Sequence, residues 1–175
     1  MTPSKSSRRV LFLALTALSA ACSGSDAPTG ATSREDAAPA GAHGAPVPGD
    51  EVRWTPAPRP FPEGAELAVI QGDPTRTGQV FTVRLRMPND YLFPPHFHPE
   101  DEHVTVLQGT FEVGMGSTVG IPAVTLRTGG FITAPAGVRH WARARGRTIV
   151  QVHGIGPFQT IYVQEDGTPI PGGGQ

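Results

Sequence analysis

From Glu51 onward the chain never sustains a helical period; short runs of alternating apolar and polar residues are cut at close intervals by glycine and proline. Val80 to Met87 shows the pattern most cleanly, with Phe81, Val83, Leu85 and Met87 on one face and Thr82, Arg84 and Arg86 on the other. Similar runs fall at Glu66–Gln71, at 123–126, at Phe131–Ala134, at 140–143, at 148–153 and at 158–163. A hairpin is expected from His103 to Met115 with Gly109 at its tight position. About nine short strands at this spacing predict an all-β sandwich or barrel. The 22 glycines and 19 prolines are the punctuation such a fold needs.

One stretch carries most of the chemistry. In Pro94 to Gly109, His96 and His98 are one residue apart, so on an extended backbone both rings face the same way and Phe97 faces the other. Glu102 shares its face with Val104 and Val106, which points it toward the core, and leaves His103 on the opposite face. A carboxylate beside apolar neighbours is costly unless it is paired or bound to a cation. Further on, a short strand and a Pro135-Ala136-Gly137 turn bring in His140. Imidazole nitrogens with a carboxylate oxygen suit one divalent transition metal, such as iron, manganese, nickel or zinc, held by His96, His98, Glu102 and His140.

These residues resemble the cupin family. Its first motif asks for His-x-His, a glutamate after three or four residues and a glycine after six more, as in His96, His98, Glu102 and Gly109. Its second asks for glycine, Pro-x-Gly and histidine at the spacing of Gly129, Pro135, Gly137 and His140. The chain departs from the family at two positions, with Asp90 in place of a glycine and Ala144 in place of an asparagine. The resemblance implies a single antiparallel jelly-roll barrel, over residues 51–168, holding one metal near its mouth. It also allows a homodimer.

The start of the chain has a different character. Lys5, Arg8 and Arg9 precede an apolar run ending at Ala21, too short to span a bilayer and suited to an export signal over residues 1–21. The lone cysteine, Cys22, follows it, and Leu18-Ser-Ala-Ala-Cys22 resembles a bacterial lipoprotein signal in which that cysteine is lipidated. An ordinary secretory signal is the alternative. Residues 22–50, rich in Ala, Gly, Pro and Ser, form the expected flexible linker, and residues 169–175 a disordered tail. The expected location is the cell envelope, with the domain tethered to a membrane through the N-terminal lipid, at the outer membrane or facing the periplasm. Removing the signal leaves 14 less three, or 11, basic residues against 15 acidic ones, a balance that argues against nucleic acid as a partner.

Two functions fit. One is a metal-dependent enzyme, of an oxygenase-like kind, acting on a small organic molecule in the barrel. The other is a non-catalytic module that captures a small molecule or the metal itself. Four further residues are pocket candidates. Gln151 and His153 share a face of one strand, and would line the pocket if that face looks inward. Arg84 and Arg86 would meet an anionic substrate at the barrel mouth.

Overall fold

A computed structural model of the protein describes residues 46–120 and 122–171, and the expectations for the export signal, for Cys22 and for the linker as far as residue 45 fall outside them. The described residues form nine strands: β1 (Thr55–Pro56), β2 (Glu66–Gln71), β3 (Val80–Met87), β4 (Leu92–Phe97), β5 (Glu102–Met115), β6 (Val124–Arg127), β7 (Phe131–Ala134), β8 (His140–Ile155) and β9 (Ile161–Tyr162). A single 3-10 turn, Gly49–Glu51, precedes them. Every strand pairing is antiparallel.

The two long strands explain how the sheet closes on itself. Along one edge β8 pairs with β5 over nearly its whole length, but along the other it changes partner: His140 to Arg143 pair with β4, and Thr148 to Ile155 pair with β3. Strand β5 divides in the same way, its first residues pairing with β7 and its last with β6. The sheet thereby becomes two facing halves, β2-β3-β8-β5-β7 and β9-β4-β8-β5-β6, connected by the strands that run through both. This is a jelly-roll of the cupin type. Val83, Leu85, Val104, Val150 and Val152 from one half meet Phe93, Phe111, Val113 and Ala142 from the other in one core. Each valine, leucine and phenylalanine among them adds about 1.5–3 kcal/mol on leaving water.

Two expectations are corrected by these strands. The predicted hairpin from His103 to Met115 is one strand, and the two runs expected at 140–143 and 148–153 are also one. Gly109, expected at a turn, lies at a bend within β5. Around Gln108 the register of β5 against β8 shifts twice, and Gly109 takes a φ of 85° where an added Cβ would lie 2.6 Å from the Arg147 carbonyl oxygen. Opposite it, Gly146 has a φ of 72° between the exposed Arg145 and Arg147. Paired bulges turn both strands from one half of the barrel to the other.

The positions that depart from the cupin motifs fit this corner. Asp90 has a φ of 59°, the left-handed conformation that glycine adopts without cost. Its side chain accepts a hydrogen bond from Arg145 Nη1 at 2.7 Å, and its backbone N–H donates to the Ala144 carbonyl at 3.0 Å. Ala144 is wholly buried, and its own N–H donates to the Tyr91 carbonyl.

Candidate metal centre

Strand alternation brings His96 and His98 to the inside of the barrel, both buried, beside His140 at the start of β8. His96 and His140 are direct cross-strand partners in the β4–β8 pairing, which is why residues 44 apart in sequence meet here. One ring nitrogen from each histidine lies within 4.8 Å of the others.

The orientation of the rings follows from what their outer nitrogens touch. Nδ1 of His96 is 2.6 Å from the Pro94 carbonyl oxygen, Nδ1 of His98 is 2.6 Å from that of Gln159, and Nδ1 of His140 is 3.0 Å from that of Val138. A carbonyl only accepts, so in each neutral ring Nδ1 carries the proton and donates it. The lone pair is then left on Nε2. Nε2 of His98 and of His140 are both buried without a hydrogen-bond partner, an arrangement costly enough to call for a cation.

Glu102 supplies negative charge at the same place. Its Oε2 lies 3.5 Å from His98 Nε2 and 3.4 Å from His140 Nε2, and its side chain is 11% exposed. These separations are long for hydrogen bonds. Two ligand atoms bound to one ion at ordinary distances of ~2.1 Å sit about 3.0–3.4 Å apart, so the spacing suits a shared cation better. The donor set fits a transition metal, and the three histidines could bind one.

The electrostatics agree. Burial holds His96 down at about 3, with the charges of His140 and His98 acting in the same direction, so this ring is neutral near pH 7. Burial also depresses His98, but the charge and contact of Glu102 outweigh it and the net shift is upward. Burial raises Glu102, yet His98 and His140 overcome it and hold the carboxyl well below its usual range. Without an ion, His98 and Glu102 each favour the charged form of the other.

Around these groups the barrel is apolar. The chamber measures about 30 Å3, with walls that include Leu85, Phe93, Val104, Phe111 and Val152, and Thr160 as a buried polar contributor. At about 10–15 Å3 per water molecule, that is room for an ion and one or two small ligand groups.

The four pocket candidates lie elsewhere. Arg84, Arg86, Gln151 and His153 are absent from the chamber wall, because Val83, Leu85, Val150 and Val152 occupy the inward positions of β3 and β8. Arg84 Nε instead donates to Gln151 Oε1 at 3.1 Å. Arg86 pairs with Glu66 at 2.7 Å and lies over the Trp54 ring. His153 stacks on His103, its cross-strand partner, with ring centres 5.0 Å apart. The expectation of an inward polar face on β8 is therefore corrected. Sequence reasoning also missed the Gln159 carbonyl that orients His98 and the Phe158 ring stacked on it at 4.8 Å. No side-chain pattern announces a backbone acceptor 61 residues away.

Comparison with known proteins bears directly on this arrangement. Residues 83–155 match the family model for the cupin domain, a span that holds all four expected ligands. The comparisons support a cupin family. Cupin folds also appear among solved structures. A putative acetylacetone dioxygenase from Methylibium petroleiphilum PM1 is 21% identical, with a TM-score of 0.57, over 73% of this chain and 86% of that one. An acetylacetone dioxygenase from Acinetobacter johnsonii is 14% identical, with a TM-score of 0.55, over 73% of this chain and 82% of that one. KdgF from a Halomonas species is 19% identical, with a TM-score of 0.51, over 65% and 96%. At these identities the likeness is one of fold. No curated protein matches the chain.

Proposed function

We propose that this cupin holds one divalent transition metal, iron, nickel, manganese or zinc, on His96, His98, His140 and Glu102, and acts through it on a small organic molecule in an oxygenase-like reaction. The observation that carries the reading is the set of three Nδ1–H groups bound to carbonyls, which turns the Nε2 lone pairs of His96, His98 and His140 toward one point beside a buried carboxylate. Bound there, the metal would supply Lewis acidity and, if redox-active, electron transfer to oxygen. The protein's own part is to hold three rings in one tautomer, to keep His96 neutral, and to exclude bulk water with an apolar wall. Two of the similar folds are described as acetylacetone dioxygenases, one of them putatively, which makes 1,3-diketones the first substrates to try.

The experiment is oxygen consumption by iron- and nickel-loaded protein with diketones and flavonols. Uptake with one of these, lost in His98→Ala, is the expected result, and silence across the panel in fully metallated protein would contradict it. Glu102 is the chamber's lone side chain able to serve as general acid or base apart from the histidines. That favours a second reading, a binding module that returns its ligand unchanged, and recovery of the intact compound from a stabilised complex would select it. We further propose that the domain is exported and carried at the cell envelope on lipidated Cys22.

A further inference from the structure

Next to the metal chamber lies a larger, open vestibule of about 530 Å3. It falls within the ~300–1,000 Å3 of ordinary small-molecule sites, which the 30 Å3 chamber does not approach. The two spaces share three residues, Phe61, Phe158 and Thr160. The aromatic rings form the partition between them. Phe158 stacks on His98 with ring centres 4.8 Å apart and an interplanar angle of 20°, and Phe61 packs edge-on against Phe93 at 6.0 Å. Their backbones are tied down, since Phe158 N–H donates to the Pro74 carbonyl at 2.7 Å and Phe61 N–H to that of Pro58 at 3.1 Å. Both side chains are half-buried, and Phe158 also packs against Phe81 with ring centres 5.1 Å apart.

The vestibule's own walls are mainly apolar, with Leu67, Val69 and Val83 from β2 and β3 facing Pro157 and Phe158. Arg59 is its one basic side chain, and its one acid, Asp73, already accepts from the N–H and hydroxyl of Thr75. Such a surface suits an apolar molecule that carries an oxygen able to reach a metal, the chemistry of a small ketone or its enolate. Resting on the metal-dependent reading above, we propose that the organic substrate sits in this vestibule and that Phe61 and Phe158 set the size of the group that passes to the metal.

The test uses the full-length chain loaded with cobalt(II), whose visible absorption reports a new ligand on the ion independently of turnover. Cobalt content is read first, and a wild-type chain that takes up none overturns the metal site and the vestibule together. The probes are 2,4-pentanedione and the bulkier 1-phenyl-1,3-butanedione, with Kd measured from the cobalt spectrum. Wild type is expected to favour the smaller probe by about tenfold or more, in line with size discrimination by apolar pockets. With cobalt content intact, Phe61→Ala and Phe158→Ala each reduce that preference at least about threefold by admitting the phenyl group. Val69 is 52% exposed, so Val69→Trp fills the vestibule in a chain that still folds, and it is expected to weaken both probes about tenfold. Cobalt-loaded variants that keep the wild-type ratio, a Val69→Trp chain that binds both probes unchanged, or cobalt spectra indifferent to both probes would each overturn the vestibule and leave the metal site standing.

Discussion

Strand β8 presents a histidine on each of its faces, and the two faces do opposite things. Inside, His140 of β8 joins the buried His96 and His98 beside Glu102, and Nε2 of His98 and of His140 has no hydrogen-bond partner. Outside, His103 of β5 and His153 of β8 stack on one another, and His103 Nδ1 is satisfied by the Thr133 hydroxyl at 3.0 Å. Residue type is the same in both places. Parity along the strand, together with what the ring's second nitrogen touches, separates a candidate ligand from a surface pair.

The comparison is tested most forcefully on packing. Phe81→Ala, at an inward position 1% exposed, should cost about 3–5 kcal/mol in denaturant unfolding. Arg84→Ala, three positions on and facing outward, should stay within about 0.5 kcal/mol. Equal costs would mean that the face assignment of β3 is wrong.

Next in size is the effect on metal retention. Glu102→Gln removes the charge beside His98 and His140, and should weaken the metal about 10- to 100-fold by equilibrium dialysis. His103→Ala and His153→Ala should leave the affinity unchanged, and a loss in either would bring the outer pair into the site.

The smallest effect is one of pH on the metal-free protein. The folded chain holds His96 at about 3 against an ordinary 6.5, so between those values the unfolded chain binds a proton that the folded chain refuses. Stability must therefore fall as pH drops through that window. Glu102, held below its ordinary 4.5, adds to the loss lower down, as pH falls through its folded value. His98 runs the other way: raised above 6.5, its contribution is complete below 6.5 and is lost as pH rises through the folded value. The melting temperature should thus decline on the acid side, and a flat profile from pH 6 to pH 4 would break the assignment of His96 to the dry interior.

The sequence was legible where period two and a short spacing act together. His96, His98, Glu102 and the inward face of Val80–Met87 lie where alternation puts them, and the Pro135-x-Gly137 turn does deliver His140 to the same point. It was not legible where the answer depended on tertiary register. Gln151 and His153 share a face with Val150 and Val152 opposite, and only pairing with β3 and β5 decides which face looks inward. Gly109 reads locally as a turn, because a bulge and a hairpin call for the same positive φ. Backbone acceptors such as the Gln159 carbonyl leave no trace in side-chain pattern.

The central claim is that four side chains from two separate segments share one cation. Elemental analysis of the protein purified from its own host, with no metal added, tests it most directly. About one transition-metal ion per chain is expected, falling to a trace in a chain with His96, His98 and His140 all replaced by alanine. A wild-type chain that carries no such metal and takes up none of iron, manganese, nickel or zinc, or a triple variant that keeps its ion, would contradict the account.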